Sequence, residues 1–376
     1  MNARSVRGAV AVAASLCALV ALSACTVRPD AGAEDVSGAP AQARNLKVGW
    51  STTSLTTAWM SQTLTTLQGD VDRLRSAGKV GSFQAFDAGD DTTLQIAQIR
   101  AMIRQTYDVI LVDAGSPTAL DPVLEEAVAA GITVVAFDSL PTSPVVLKVG
   151  TDQWAWGSML ADWLVDALDG RGDIIAMTGP AGTTGRDDRW AGAAAVFARH
   201  PGIRVVETVH SANSVDPAAR AFASAYARHP DVRGVFSPGG TLSAAVLRTL
   251  VEEDDRLVPV TGENYNGFLK LWRSKQAEGF SALATAQPAY LSVIALEAAV
   301  AQREGVKVPA AIDVPLLEIT DDNLARYAEP GAPDDTYPVD ALPQARIDQL
   351  IGRPAGPGQG RAGVGWGWAE GVVANV

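Results

Sequence analysis

Residues 108–139 read DVILVDAGSPTALDPVLEEAVAAGITVVAFDS. Val109–Val112 is a short, β-branched apolar run, the pattern of a strand buried on both faces. A turn over Asp113–Pro117 follows, and then Leu120, Val123, Leu124, Ala127 and Val128 recur at helical spacing. Gly131 ends that helix, since glycine takes a positive φ without steric cost. Thr133–Phe137 is a second apolar strand, closed by Asp138 and Ser139. Strand, helix and strand make a βαβ unit, which demands a parallel sheet and a right-handed crossover.

The unit recurs along the chain. Strands at Leu46–Trp50, Phe83–Phe86, Asp173–Thr178, Ile203–Val209, Gly234–Phe236 and Val258–Thr261 alternate with helices near 58–77, 92–105, 188–199, 217–228 and 241–252. The pattern predicts an α/β protein of doubly wound parallel sheets. Residues 45–151 make one lobe, and residues 152–287 repeat its architecture. Val146–Asp152 and Ser281–Gln287 read as extended, each followed by a helix, Trp154–Leu168 and Pro288–Ala301; Val314–Thr320 is expected to be the last strand. Residues 321–376 are rich in proline and glycine and predict an irregular tail with one short helix near 343–351. Trp366 and Trp368 within it suggest docking onto a lobe, and the tail is a candidate latch across the two lobes.

The chain has 376 residues, 47% hydrophobic and 19% charged, enough for two ordinary cores. Its net charge of −12, with no basic stripe, speaks against a nucleic-acid partner. Both cysteines, Cys17 and Cys25, lie in the first 25 residues, so the rest can form neither a disulfide nor a thiolate metal site.

Those first 25 residues have the form of an export signal. Arg4 and Arg7 are the basic start, Gly8–Val20 is an apolar stretch too short for a comfortable membrane span, and Leu22-Ser23-Ala24-Cys25 resembles a bacterial lipobox. Cys25 is therefore expected to carry the lipid that holds the protein at the outer face of a membrane. Residues 26–44 are rich in Ala, Pro, Gly and charge, the composition of a flexible tether.

Catalytic signatures fail in turn. Gly179–Arg186 (GPAGTTGR) lacks the Gly-Lys-Ser/Thr ending of a phosphate loop. There is no G-x-S-x-G elbow and no H-E-x-x-H spacing. His200 and His229 sit in matching ARHP contexts that read as helix ends. What stands out is polar and aromatic residues at strand ends in both lobes. These are Ser51–Thr57 with Trp59 and Asp138 in the first and Thr183–Asp187, which includes Arg186, with Asn213, Asn264 and Gln287 in the second. In doubly wound sheets, ligands bind at the carboxyl ends of strands. Carboxylates, amides and guanidiniums pair with hydroxyls, and an indole covers a C–H face, which is the chemistry a sugar presents. Taken singly, Asp138 reads as a turn or cap aspartate and Trp59 as a core residue; their recurrence at one sheet edge in two lobes is what points to a site.

With these segments in hand, the chain resembles the ribose-type periplasmic sugar-binding proteins, the type I solute-binding fold of ABC transporters, in a lipoprotein form. The resemblance covers roughly 45–320 and rests on KVGWSTTSLTTAW, DVILVDAGSPTAL, AAGITVVAFDS, VGTDQWAWGSMLADWL, GPAGTTGRDDRWAG, RHPDVRGVFSPGGTLSAAVLRTL, VTGENYNG and ATAQP in that order. It implies two lobes joined by three crossings, residues 45–151 plus 288–312 and residues 152–287 plus 313–320, with 321–376 as an extension. It also implies ligand contacts at Thr57, Trp59, Met60, Asp138, Ser139, Asp187, Asn213, Gly239, Asn264 and Gln287, with Arg186 beside them. Ser139 and Asp187 stand where the family has arginines, and Asn264 where it has an aspartate.

The expected function is that of an extracytoplasmic, lipid-anchored binding protein of an ABC importer. It would enclose a sugar or polyol by hinge closure and present it to a membrane permease, with no catalytic step, cofactor or metal. Two alternatives share the fold: a sensor subunit delivering its ligand's signal to a membrane kinase, and a binder of a non-sugar solute such as a nucleoside. An exported enzyme would need a nucleophile–base pair or a metal cluster, and the sequence offers neither.

Overall fold

The computed structural model describes residues 44–179, 184–254, 256–339 and 341–354. The leader, Cys25, the 26–43 part of the tether and the tail with Trp366 and Trp368 lie outside the described residues. The described residues begin with β1 (Leu46–Thr52), α1 (Ala58–Ser76), β2 (Val80–Asp87), α2 (Thr92–Arg104), β3 (Val109–Val112), α3 (Asp121–Ala129), β4 (Thr133–Phe137) and β5 (Leu147–Gly150). It crosses into α4 (Gln153–Ala167), β6 (Gly172–Thr178), α5 (Thr184–Arg199), β7 (Ile203–His210), α6 (Val215–Arg228), β8 (Gly234–Phe236), α7 (Gly240–Glu252), β9 (Val260–Glu263), α8 (Asn266–Lys275) and β10 (Ala282–Thr285). It then returns through α9 (Leu291–Arg303) and β11 (Ala311–Asp313), and α10 (Leu324–Tyr327) and α11 (Gln344–Leu350) follow among the described residues.

The strands form two sheets, six-stranded in the order β11-β5-β4-β3-β1-β2 and five-stranded in the order β10-β9-β8-β6-β7. Pairings within both sheets are parallel throughout. Successive side chains of a strand point to opposite faces. On β3, Val109 and Leu111 pack with Leu67, Ile294 and Leu296, while Ile110 and Val112 pack with Ile99, Met102 and Val123. On β6, Ile175 and Met177 join the core under α6, α7 and α8, while Ile174 and Ala176 join the core under α4 and α5. Each sheet is thus covered by helices on both faces, which is why its strands read as unbroken apolar runs.

Two expectations change. Val314–Thr320 is not the last strand. That strand is Ala311–Asp313, paired with β5. Pro315 lacks a backbone donor, and its segment passes into the C-terminal lobe, where Ile319 forms one antiparallel bridge to Ala284 of β10. Nor is the chain beyond residue 320 a loose tail as far as residue 354. Leu324, Tyr327 and Ala328 are buried in the C-terminal lobe's core, and Ile347 and Ile351 in the N-terminal lobe's core. Apolar residues spaced for two short helices, each fitted to a different lobe, override the proline and glycine content.

The far end of this segment is fixed by charge. Glu297 of α9 is buried and ion-paired with Arg353 at 2.6 Å and with Arg73 of α1. Arg353 also reaches Glu304 at 3.2 Å. A buried carboxylate that loses a cation is strongly destabilising, more than the net worth of the pair. Arg353→Met should therefore lower stability by about 3 kcal/mol. The check is a shift in the midpoint of urea unfolding; an unchanged midpoint would show that residues 341–354 do not hold the N-terminal lobe.

Candidate functional site

The strands of both sheets end at a cleft between the lobes. Two adjoining cavities of about 570 and 580 Å³ occupy it, sharing Asp138, Arg189, Asn213 and Gly239. The first lies toward Ser139, Thr151, Gln153, Arg186 and Leu242; the second toward Thr57, Trp59, Glu263, Tyr265 and Gln287.

Asp138 follows β4 directly and has φ 63°, in the left-handed region. Aspartate tolerates that conformation better than most residues, but it costs energy, and such residues persist where the surroundings hold them. Here the holding group is Gln287, whose Nε2 donates to Asp138 Oδ1 at 2.6 Å. Behind it, at the end of β3, Asp113 is buried and accepts from Thr52 Oγ1 at 3.1 Å and from the Ser139 N–H at 3.3 Å. Burial raises the Asp138 pKa to about 7, and the charge of Asp113 adds to that, against the pull of Gln287 and Arg189.

Gln287 joins the lobes. Its Oε1 accepts from Thr151 Oγ1 at 2.5 Å and from Gln153 Nε2 at 3.4 Å, and its carbonyl accepts from Trp59 Nε1 at 2.8 Å. Its N–H donates to Glu263. Side chains from the N-terminal lobe, the first crossing and the C-terminal lobe therefore meet on one residue of the second crossing.

Arg189 comes from α5, and the packing of α5 on α4 explains its position. A Cβ on Gly157 would lie 1.8 Å from the Arg189 carbonyl, and one on Gly192 would lie 2.1 Å from the Trp154 carbonyl. Two glycines thus let the helices touch backbone to backbone. At that range the Arg189 guanidinium lies over the Trp156 ring at 3.7 Å, donates from Nε to Gln153 Oε1 at 2.6 Å and reaches the Pro238 carbonyl at 3.0 Å. Glu263, at the end of β9, accepts from the N–H of Gly240 at the start of α7 at 3.0 Å; burial raises its pKa, while Arg189 and the backbone donors lower it.

The sequence candidates divide accordingly. Trp59, Asp138, Asn213 and Gln287 come together at the cleft, with Thr57 exposed at its edge, where its hydroxyl caps α1 by accepting from Met60 N–H at 3.2 Å. Arg186 lines the first cavity and pairs with Asp187. Asp187 lines neither cavity, and 52% of its side chain is exposed. The helix explains this. The expected turn Gly179–Arg186 becomes helical at Thr184, so Arg186 and Arg189 share a face three residues apart and Asp187 is turned off it. Asn264 is also displaced. It is fully buried, and its Nδ2 donates to the Pro338 carbonyl at 2.7 Å, because neighbouring residues at a strand end face opposite ways and Glu263 takes the cleft side. Met60 is buried beneath the site; Ser139 and Gly239 line it.

Sequence reasoning missed Arg189, Glu263, Thr151, Gln153 and Tyr337. Arg189 had a signal, a second arginine one helical turn after Arg186, and Glu263 stood beside the residue chosen. Tyr337 had none, because the chain brings it back from outside both lobes.

Two parallel-sheet lobes with a polar cleft at the carboxyl ends of their strands, joined through residues that face the cavity, make the type I periplasmic-binding-protein fold. Residues 48–307 match the model of the periplasmic binding protein domain, and the chain belongs to that family, one of binding proteins and not of enzymes. It is 27% identical over 177 residues to the xylitol-binding protein of Mycolicibacterium smegmatis, an alignment covering 46% of this chain and 51% of that one. It is 23% identical over 245 residues to the ribose import binding protein of Bacillus subtilis, covering 61% and 74%. The matched stretch is thus about half the length of the first relative. The crystal structure of an ABC transporter solute-binding protein from Thermobispora bispora shares the fold with a TM-score of 0.72 at 21% identity, over 81% of this chain and 94% of that one.

The raised Asp138 pKa has a signed consequence. The folded state keeps a proton that the unfolded state releases between the usual carboxyl value of 3.8 and about 7. Its contribution to stability is therefore present below that window and lost as pH rises through it. Asn at this position keeps the oxygen that Gln287 needs and removes the charge. Asp138→Asn should raise Tm by ~2 °C or more at pH 8 and leave it unchanged near pH 4. Scanning calorimetry at both pH values checks this, and an equal effect at both would refute the titration.

Proposed function

We propose that this chain is an extracytoplasmic, lipid-anchored solute-binding protein of an ABC importer, taking a sugar or polyol into the cleft by closure of the lobes. The observation that carries the reading is Gln287. The amide that bonds the ligand-facing Asp138 also bonds Thr151 and Gln153 at the hinge, so a ligand that engages Asp138 acts directly on the joint. Ligand binding and lobe closure are then one equilibrium, and the ligand shifts it by its extra affinity for the closed form.

The chemistry of the cleft favours a neutral polyhydroxylated ligand. Asp138 and Glu263 are acceptors, Arg189 is a fixed donor, Asn213 offers both, and Trp59 and Tyr265 provide apolar faces. The relatives named for xylitol and ribose point the same way. Export and anchoring rest on the basic start, the apolar stretch and the Leu22–Cys25 lipobox, and the permease is the partner such a protein serves. Among the described residues no helix is long and apolar enough to cross a membrane.

A thermal-shift screen of the protein lacking its lipidated cysteine, against pentoses, hexoses, polyols, nucleosides and amino acids, tests the ligand class. A ligand at about 1,000 times its Kd stabilises by roughly 4 kcal/mol. The expected outcome is a shift of several degrees confined to sugars or polyols, and a shift with nucleosides or amino acids alone would overturn the sugar assignment. In the same assay Asp138→Ala should weaken binding by about 1–3 kcal/mol while the protein stays folded.

A further inference from the structure

After β11 the chain enters the C-terminal lobe for the last time and then leaves it across the cleft. Leu324, Tyr327 and Ala328 are buried there. The next residues are held to the start of α8. Asn266 Nδ2 donates to the carbonyls of Glu329 at 2.9 Å and Pro333 at 3.0 Å. Its Oδ1 accepts from the Glu329 N–H at 3.0 Å. The N–H groups of Asn266 and Gly267 donate to the carbonyls of Thr336 and Asp334 at 2.8 and 2.9 Å. Tyr337 is then held by the other lobe. Gln62 of α1 accepts from the Tyr337 N–H at 2.9 Å and donates to its carbonyl at 2.8 Å. Pro338 returns to Asn264, Val339 packs against both cores, and Leu342 belongs to the N-terminal one.

Between these attachments the Tyr337 ring lines the same cavity as Trp59, Asp138, Glu263 and Gln287. It meets the Tyr265 ring edge-on, with centroids 5.5 Å apart and planes at 69°. A side-chain amide that bonds both backbone groups of one residue fixes that residue much as a strand neighbour would, so Tyr337 is a rigid wall and not a loop-borne contact. Burial and the nearby Glu263 push the phenol well above its usual range, which keeps its proton available for donation.

We propose that the chain from Ala328 to Val339 is a fourth link between the lobes, and that Tyr337 on this link contacts the ligand and decides among polyhydroxylated compounds. The specificity part rests on the sugar or polyol reading above. Three aromatic rings at one end of the cleft, Trp59, Tyr265 and Tyr337, suit a ligand with an extended C–H face, and the phenol selects for an acceptor placed opposite Glu263. Because the link is attached to α1 through Gln62 and to α8 through Asn266, separation of the lobes must stretch it or break the Gln62 pair.

The experiment has a ligand arm and a ligand-free arm. Calorimetric titration with xylitol and with D-ribose compares wild type, Tyr337→Ala and Tyr337→Phe. Tyr337→Ala should lose tenfold or more in affinity, by unequal factors for the two compounds, and Tyr337→Phe should lose less but again unequally. Wild-type affinities in both variants, or equal losses for the two compounds, overturn the specificity role while leaving the polyol reading intact. A wild type that binds neither compound overturns selection between them by Tyr337, while the thermal-shift panel decides the polyol reading separately. In the ligand-free arm, small-angle scattering of Gln62→Ala should show a larger radius of gyration than wild type. Superimposable curves would overturn the fourth link whatever the ligand proves to be.

Discussion

The side-chain amide of Gln287 is the interaction on which the rest of the molecule depends. An amide offers donors on one side and an acceptor on the other, and here the two sides belong to different tasks. The donor side holds Asp138 in a left-handed conformation at the cleft, and the acceptor side takes Thr151 and Gln153 at the first crossing. Its own backbone holds Trp59 and Glu263. A buried amide left without these partners would cost on the order of 1–3 kcal/mol, so the groups around it are fixed together or not at all. That is how a cleft made from two separately folded sheets acquires one geometry.

The charges around that amide are arranged by packing and not by sequence proximity. Arg189 is in place because Gly157 and Gly192 remove the side chains that would hold α4 and α5 apart. Its guanidinium then lies on the Trp156 ring and is aimed at the cleft by Gln153, itself bonded to Thr151. Burial favours the protonated form of Asp113, Asp138 and Glu263; the Arg189 guanidinium offsets this at Asp138 and Glu263, and hydroxyl and backbone donors offset it at Asp113. A site built this way sets hydrogen-bond acceptors beside a fixed guanidinium donor, which suits recognition by direct hydrogen bonding.

The fold was legible in the residues because its period is local. Val109–Val112 and Thr133–Phe137 announce a strand buried on both faces, Leu120 to Val128 announce the helix between, and the same pattern repeats at six further strands. The strand-end rule led as well to Asp138, Trp59, Asn213 and Gln287, since in a parallel sheet every strand delivers its last side chains to the same edge. It went astray by one or two positions at Asp187 and Asn264. There the face of a helix or the alternation of a strand decides which neighbour enters the cleft, and a boundary error of one residue reverses the choice. It failed beyond residue 320, where low periodicity concealed a segment that gains order only from the lobes it touches.

The sequence by itself therefore determined the two sheets, their helices and the edge on which a ligand would sit, because these follow from alternation and spacing within some thirty residues. Only the tertiary structure decided which guanidinium and which carboxylate face the cavity, that Gln287 ties the cavity to the first crossing, and that Tyr337 returns to wall it. Each of those depends on contacts between residues far apart in the chain, such as Gln62 with Tyr337 or Trp59 with Gln287. Only the close packing of elements, here made possible by glycines at a helix crossing and by a proline-rich strand of chain running over two cores, brings such pairs within hydrogen-bonding distance.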